Sequence, residues 1–135
     1  MVQAEIVLVN IYDLRDAKHG IIKENQIRQI SLTAIVDTGA ITLVINEDIR
    51  QKLGLEIEGS RLVTLADGTR HTFSVTEPVN IKWKNRDTAC RALLMPNSSY
   101  VLLGSIALED MDLMVNPVKQ ELVGAHGDEA MCLVL

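Results

Sequence analysis

The residues best suited to chemistry are Asp37, Thr38 and Gly39. They follow the apolar run Ala34-Ile35-Val36 and precede Ala40 and a second apolar stretch, "ITLVI". A carboxylate delivered by a hydrophobic strand has two readings. It closes a β-turn through its own backbone, as Asp does in many loops. Or it is presented to a reactant as an acid or base. The tripeptide alone does not decide, since average composition puts it in roughly 3% of chains this long. Other candidates carry less. His19, His71 and His126 lie in separate segments, and Cys90 and Cys132 are 42 positions apart. No CxxC pair or Cys/His spacing appears, so no metal site and no cofactor is expected. Trp83 and the methionines read as core residues.

The elements that must position Asp37 are mostly strands. "EIVLVNIY" (5–12) and "QIRQISLTAIV" (26–36) read as a strand pair joined across a polar loop, "DLRDAKHG". In the second, Ile30, Leu32 and Ala34 alternate with Ser31 and Thr33. A helix is expected over 47–53. Asn46 suits its N-cap, Glu47 and Asp48 its first turn, and Gly54 its stop. Ile45, Ile49 and Leu53 give it one apolar face. "RLVTLADGTRHTFSV" (61–75) places Asp67-Gly68 between two extended segments, which suits a type I′ hairpin. "VNIKWK" (79–84) pairs with "CRALLMP" (90–96) across the turn "NRD". "YVLLG" (100–104) leads into a short helix over 105–111 with Ser105 as N-cap. "DLMVN" and "QELVG" make a last hairpin around Pro117. Successive hairpins with few helices predict an all-β chain, folded as a small closed barrel.

Bulk properties agree with one domain. The 135 residues are 47% hydrophobic but only 3% aromatic, so Val, Ile and Leu must fill the core. Net charge is −5, with 13 basic residues scattered among 18 acids, which argues against a nucleic-acid partner. No apolar run reaches the ~20 residues of a membrane helix, so no membrane partner is expected. The N-terminal stretch has no basic segment or cleavage signature of a secretion signal, and a cytoplasmic chain with reduced thiols is expected.

Three features arrive in a telling order: strand-"DTGA"-strand, a DG-tipped hairpin, and "VLLGSIAL". In that order they resemble the retropepsin-like aspartic proteases. The resemblance covers residues 5–124, with the protease domain assigned to 1–124. It is closest to the prokaryotic single-domain members, through "LGL" at 53–55, "ADG" at 66–68 and "LLGSIALEDMDLMV" at 102–115. The phosphorylated-aspartate motif of ion pumps also carries Asp, Thr and Gly, but a lysine directly follows its aspartate; here Thr38 follows.

The resemblance implies an endopeptidase with Asp37, Thr38 and Gly39 as catalytic residues. Ala40, Ala66, Asp67 and Gly68 would bind substrate, the last three from a flap. Two carboxylates close together cannot both ionise, so they share a proton and activate water against a peptide carbonyl. "EDMD" and "GDE" lack the strand-Asp-small-Gly context, so this chain has one such motif. A homodimer acting on a peptide or protein substrate is therefore expected. Thr38 would bond the partner's loop, and Gly39 would lend its N–H to the carboxylate. His71, just past the flap tip, is placed to influence pH response. Residues 125–135, ending "MCLVL", match no part of the family pattern; they read equally as a dimer-interface strand or as a segment folded on its own chain. The alternative function is a catalytically silent peptide- or partner-binding domain on the same fold.

Overall fold

The computed structural model describes residues 1–134. Nine strands form: β1 (Gln3–Asn10), β2 (Gln29–Val36), β3 (Leu43–Ile45), β4 (Ile57–Thr64), β5 (Arg70–Trp83), β6 (Arg86–Leu94), β7 (Leu102–Leu103), β8 (Leu113–Asn116) and β9 (Glu121–Gly124). Three short helices accompany them: α1 (Ile11–Lys18), α2 (Glu47–Leu53) and α3 (Ser105–Asp110). The strands run in the order β1-β2-β7-β3-β6-β5-β4, and β1 also pairs with β5. That extra pairing closes six strands into a ring and leaves β4 attached outside it, on β5. β8 and β9 form a separate hairpin. The all-β barrel is the one the strand pattern predicts.

Alternation explains the core. Ile6 and Leu8 from β1, Leu43 and Ile45 from β3, Val79 and Ile81 from β5, and Leu103 from β7 are fully buried inside the ring. Ile49 and Leu53 seal it from α2, and Trp83 joins the same cluster. α2 has the bounds its caps predict. Asn46 Oδ1 accepts the Ile49 N–H at 3.0 Å, and Gly54 stops the helix at φ 64°.

Several local expectations are corrected. Residues 11–18 are helical rather than a strand end and loop, because Asn10 caps them by accepting the N–H groups of Tyr12 and Asp13. Asn10 also donates to the Leu53 carbonyl at 2.7 Å, tying α1 to the end of α2. The strand expected at 26–36 starts at Gln29, after a 3₁₀ turn at Glu24–Gln26. β5 is one strand of 14 residues, not two. It passes Pro78 through a bulge between Val75 and Pro78, where the buried Thr76 hydroxyl accepts the Ala92 N–H at 3.1 Å. The turn before β6 is Lys84-Asn85, with Trp83 opposite Arg86, so Arg86 and Asp87 belong to the strand. α3 is capped by Gly104, and Ser105 lies inside it without a side-chain capping bond.

Residues 125–131 are bonded back to their own chain, while 132–134 are exposed. Buried Arg86 donates to the carbonyls of Met111, Asp112 and Gly127. The Asp112 carboxylate receives the Met131 N–H at 3.0 Å and stands 2.8 Å from His126 Nδ1. Burial raises the Asp112 pKa, but the bonds from His126 and Met131, with the Arg86 charge nearby, outweigh it and hold the carboxyl below its usual range. Leu135, the end of the segment read as an interface strand, lies outside the described residues.

Candidate active site

The parallel pairing of β2 with β7 carries the chain into the Asp-Thr-Gly loop. The Asp37 N–H donates to the Leu103 carbonyl at 3.0 Å, continuing that ladder by one residue. The loop then turns back on itself. The Ala40 N–H donates to the Asp37 carbonyl at 3.1 Å, and the Gly39 N–H donates to Asp37 Oδ1 at 2.9 Å. The carboxylate is therefore held by its own loop. A Cβ on Gly39 would sit 3.2 Å from that same oxygen, so the glycine keeps the approach open.

The far side of the loop is pinned by the start of α3. Ser105 N–H donates to the Ala40 carbonyl at 2.8 Å, and Ile106 N–H to the Ile41 carbonyl at 2.9 Å. This clamp demands a glycine between β7 and α3. A Cβ on Gly104 would lie 2.5 Å from the Thr42 carbonyl oxygen, 2.7 Å from that of Ala40 and 2.8 Å from the Thr42 nitrogen. The "LLGS" pattern thus has a physical reason: only glycine lets the loop backbone pass this close.

Asp37 is half-buried, while Thr38 and Gly39 are exposed. Ile41 beside them is 66% exposed, a large apolar side chain left uncovered at the motif's rim.

The β4–β5 hairpin stands over this loop. Its turn differs from the expected type I′. The Gly68 N–H donates to the Leu65 carbonyl at 2.9 Å, and Leu65 N–H to the Thr69 carbonyl at 2.8 Å. Only Gly68 has a positive φ, 85°; Asp67 does not. That fits a longer loop with one left-handed glycine. Asp67 Oδ1 instead accepts the Thr69 N–H at 2.9 Å and the Thr69 hydroxyl at 2.6 Å. Those bonds, helped by the nearby His71 charge, hold the Asp67 carboxyl below its usual range. His71 Nε2 lies 3.0 Å from the Thr69 oxygen, extending the chain of contacts along the hairpin.

Between the loop and the hairpin lies a cleft of ≈ 640 Å³. Asp37, Gly39 and Ala40 line its floor, and Arg61 through Ala66 line its roof. Ile41, Val44, Leu93, Met95 and Leu102 make its walls apolar. Of the residues predicted for the site, Asp37, Gly39, Ala40 and Ala66 are brought together here. Thr38, Asp67 and Gly68 stand outside the lining. Sequence reasoning missed Arg61, Leu62, Val63, Leu93 and Met95. Neither "RLVTL" nor "RALLM" alternates, so the sequence holds no local signal that sets these residues above and beside the motif. A second hollow, ≈ 480 Å³, lies between the Lys84-Asn85 turn and residues 121–128 and contains none of the motif residues. No helix is long and apolar enough to cross a membrane, among the described residues.

The comparisons with known proteins point the same way. Residues 24–107 match the family described as aspartyl protease. That match spans more than half of the chain, which belongs to this family and is an aspartic-type peptidase with a retropepsin-like fold. Among solved structures, the EIAV protease complexed with the inhibitor HBY-793 is similar over 78% of this chain and 83% of its own, at 24% identity and a TM-score of 0.54. The simian foamy virus (mac) protease in solution matches 58% of this chain and 81% of its own, at 20% identity and a TM-score of 0.45. No curated protein matches the chain.

Proposed function

We propose that Asp37 is the catalytic carboxylate of an endopeptidase and that its partner in catalysis is Asp37 of a second copy of this chain. The observation that carries this reading is the opening of the Asp37 loop onto the cleft beneath the hairpin. One carboxylate per chain cannot both accept a proton from water and donate one to a carbonyl. A symmetric pair can, because like charges a few ångströms apart keep one proton between them. The ionised member takes a proton from the attacking water; the protonated member donates to the carbonyl oxygen as the tetrahedral centre forms.

The surroundings suit that chemistry. Gly39 N–H fixes the carboxylate's orientation from within the loop. Exposed Thr38 and Ile41 offer a polar and an apolar contact to the facing copy. In the sheet β4 is hydrogen-bonded only to β5, so its outer edge can accept an extended peptide as an added strand. The tip around Asp67 and Gly68 then acts as a cover that excludes water. A cytoplasmic setting, with Cys90 and Cys132 reduced, belongs to the same proposal.

Asp37→Asn tests it. The carboxamide preserves shape and the Gly39 contact but cannot act as a base. Peptide cleavage should fall by about 10⁴-fold or more, with an unchanged far-UV circular dichroism spectrum. Undiminished turnover by the variant would overturn the assignment.

A further inference from the structure

The cleft walls are apolar, and among the described residues only two charged side chains line it: Asp37 on the floor and Arg61 on the roof. Arg61 is exposed and sits on β4 opposite Phe73. Ion pairs among the described residues engage Arg28, Arg50, Lys52, Arg91 and His126, and Arg61 is in none of them. The acids of its own hairpin are committed elsewhere. Glu58 pairs with Arg91 at 3.5 Å, Asp67 is bonded to Thr69 within the turn, and Glu77 accepts the Glu56 N–H at 3.2 Å. An unpaired guanidinium facing an apolar channel has unused donors in a fixed fork, which suits a carboxylate. It stands three residues before Thr64, the end of β4, about 10 Å back along the strand from the hairpin's turn. That places it in the outer part of the cleft, away from the bond to be cut.

We propose that Arg61 is a specificity residue that selects substrates with an acidic side chain outside the pair of residues flanking the cleaved bond. The proposal rests on the reading of the Asp37 cleft as a peptide site. In a symmetric dimer two Arg61 side chains border the cleft, so acid preference would arise on both sides of the cleaved bond.

The test uses a set of twelve-residue peptides with two central aliphatic residues. They differ only in carrying Glu, Gln or Lys at one flanking position. For the wild-type protein, kcat/KM should favour Glu over Gln by about tenfold at one or two outer positions. Arg61→Gln should bring that ratio to within about twofold, and Arg61→Glu should reverse it towards Lys. The change should fall mainly in KM, as for a contact made equally in ground and transition states. A residue with a merely structural role would slow all three peptides alike. Binding of the same peptides, fluorescently labelled, to the Asp37→Asn protein reads the preference without turnover. If peptides bind with the Glu preference but are not cut by the wild type, the catalytic reading fails and the Arg61 proposal stands. A Glu-to-Gln ratio near one in the wild type, or one unchanged in Arg61→Gln, overturns the proposal.

Discussion

Replacing Gly104 by alanine tests how the fold holds the reactive loop. The backbone there is at φ −95°, ψ −177°, open to any residue, so conformational strain plays no part. The added methyl is the whole perturbation. Its carbon would lie 2.5 Å from the Thr42 carbonyl oxygen, and all three close neighbours are backbone atoms that cannot rotate away. To reach ordinary contact at 3.4 Å, that segment must retreat by about 0.9 Å. Overpacking of this kind costs about 1–3 kcal/mol of stability. The same segment continues from Asp37 and is bonded to α3 through Ala40 and Ile41, so the displacement is passed to the carboxylate. A misplacement of about 1 Å can cost about 100-fold in rate. Urea denaturation would measure the first effect and cleavage of a fluorogenic peptide the second. Gly59→Ala is the control, because its Cβ would meet nothing within 4 Å. It should stay within about 0.5 kcal/mol of the parent and keep its activity. Wild-type stability and rate in Gly104→Ala would refute the account of the clamp.

Two further predictions concern the scaffold. Arg28 donates to Asp13 Oδ2 at 2.8 Å and Oδ1 at 2.9 Å, and this bonding, chiefly, holds the Asp13 carboxyl below its usual range. A depressed pKa means the stabilisation is present above the unfolded value near 3.9 and is lost as pH falls through the folded one. Arg28→Gln should therefore cost about 1 kcal/mol at neutral pH, limited by the half-exposed guanidinium; denaturation curves should show that difference shrinking as pH drops below about 4. Thr76→Val removes the hydroxyl that satisfies the Ala92 N–H inside the barrel. Thermal and urea unfolding should show a loss of about 1–3 kcal/mol, the cost of a buried unsatisfied donor.

Much of the fold was legible because its signals are local. α2 was readable from Asn46, Gly54 and the spacing of its apolar residues, all within ten positions. The barrel was readable from alternation in β1, β2, β5 and β6. α1 was missed although Asn10 and Asp13 form a reasonable start signal. The β-branched Ile11 and the strand before it made the segment look extended, and tertiary bonds from Asn10 to Leu53 and Asp13 to Arg28 decided otherwise. The split of β5 at Pro78 was misread because its repair comes from a side chain, Thr76, rather than from the ladder. The hairpin tip was misread because Asp67-Gly68 matches two turn types, and Asp67's bonds to Thr69 select the longer one. At the site, the Asp37–Gly39 contact and the order of segments were readable. Ala66 was readable as part of the hairpin over the motif, but the Arg61–Leu65 part of the roof was not, since it depends on how β4 hangs from the ring.

The central claim is that each reactive centre needs two copies of Asp37. A mixing experiment addresses it most directly. Wild-type and Asp37→Asn chains are combined at constant total concentration, allowed to exchange, and assayed for peptide cleavage. If one carboxylate comes from each chain, hybrids are inactive and activity falls as the square of the wild-type fraction. A linear fall would show that each chain works alone and would contradict the shared site.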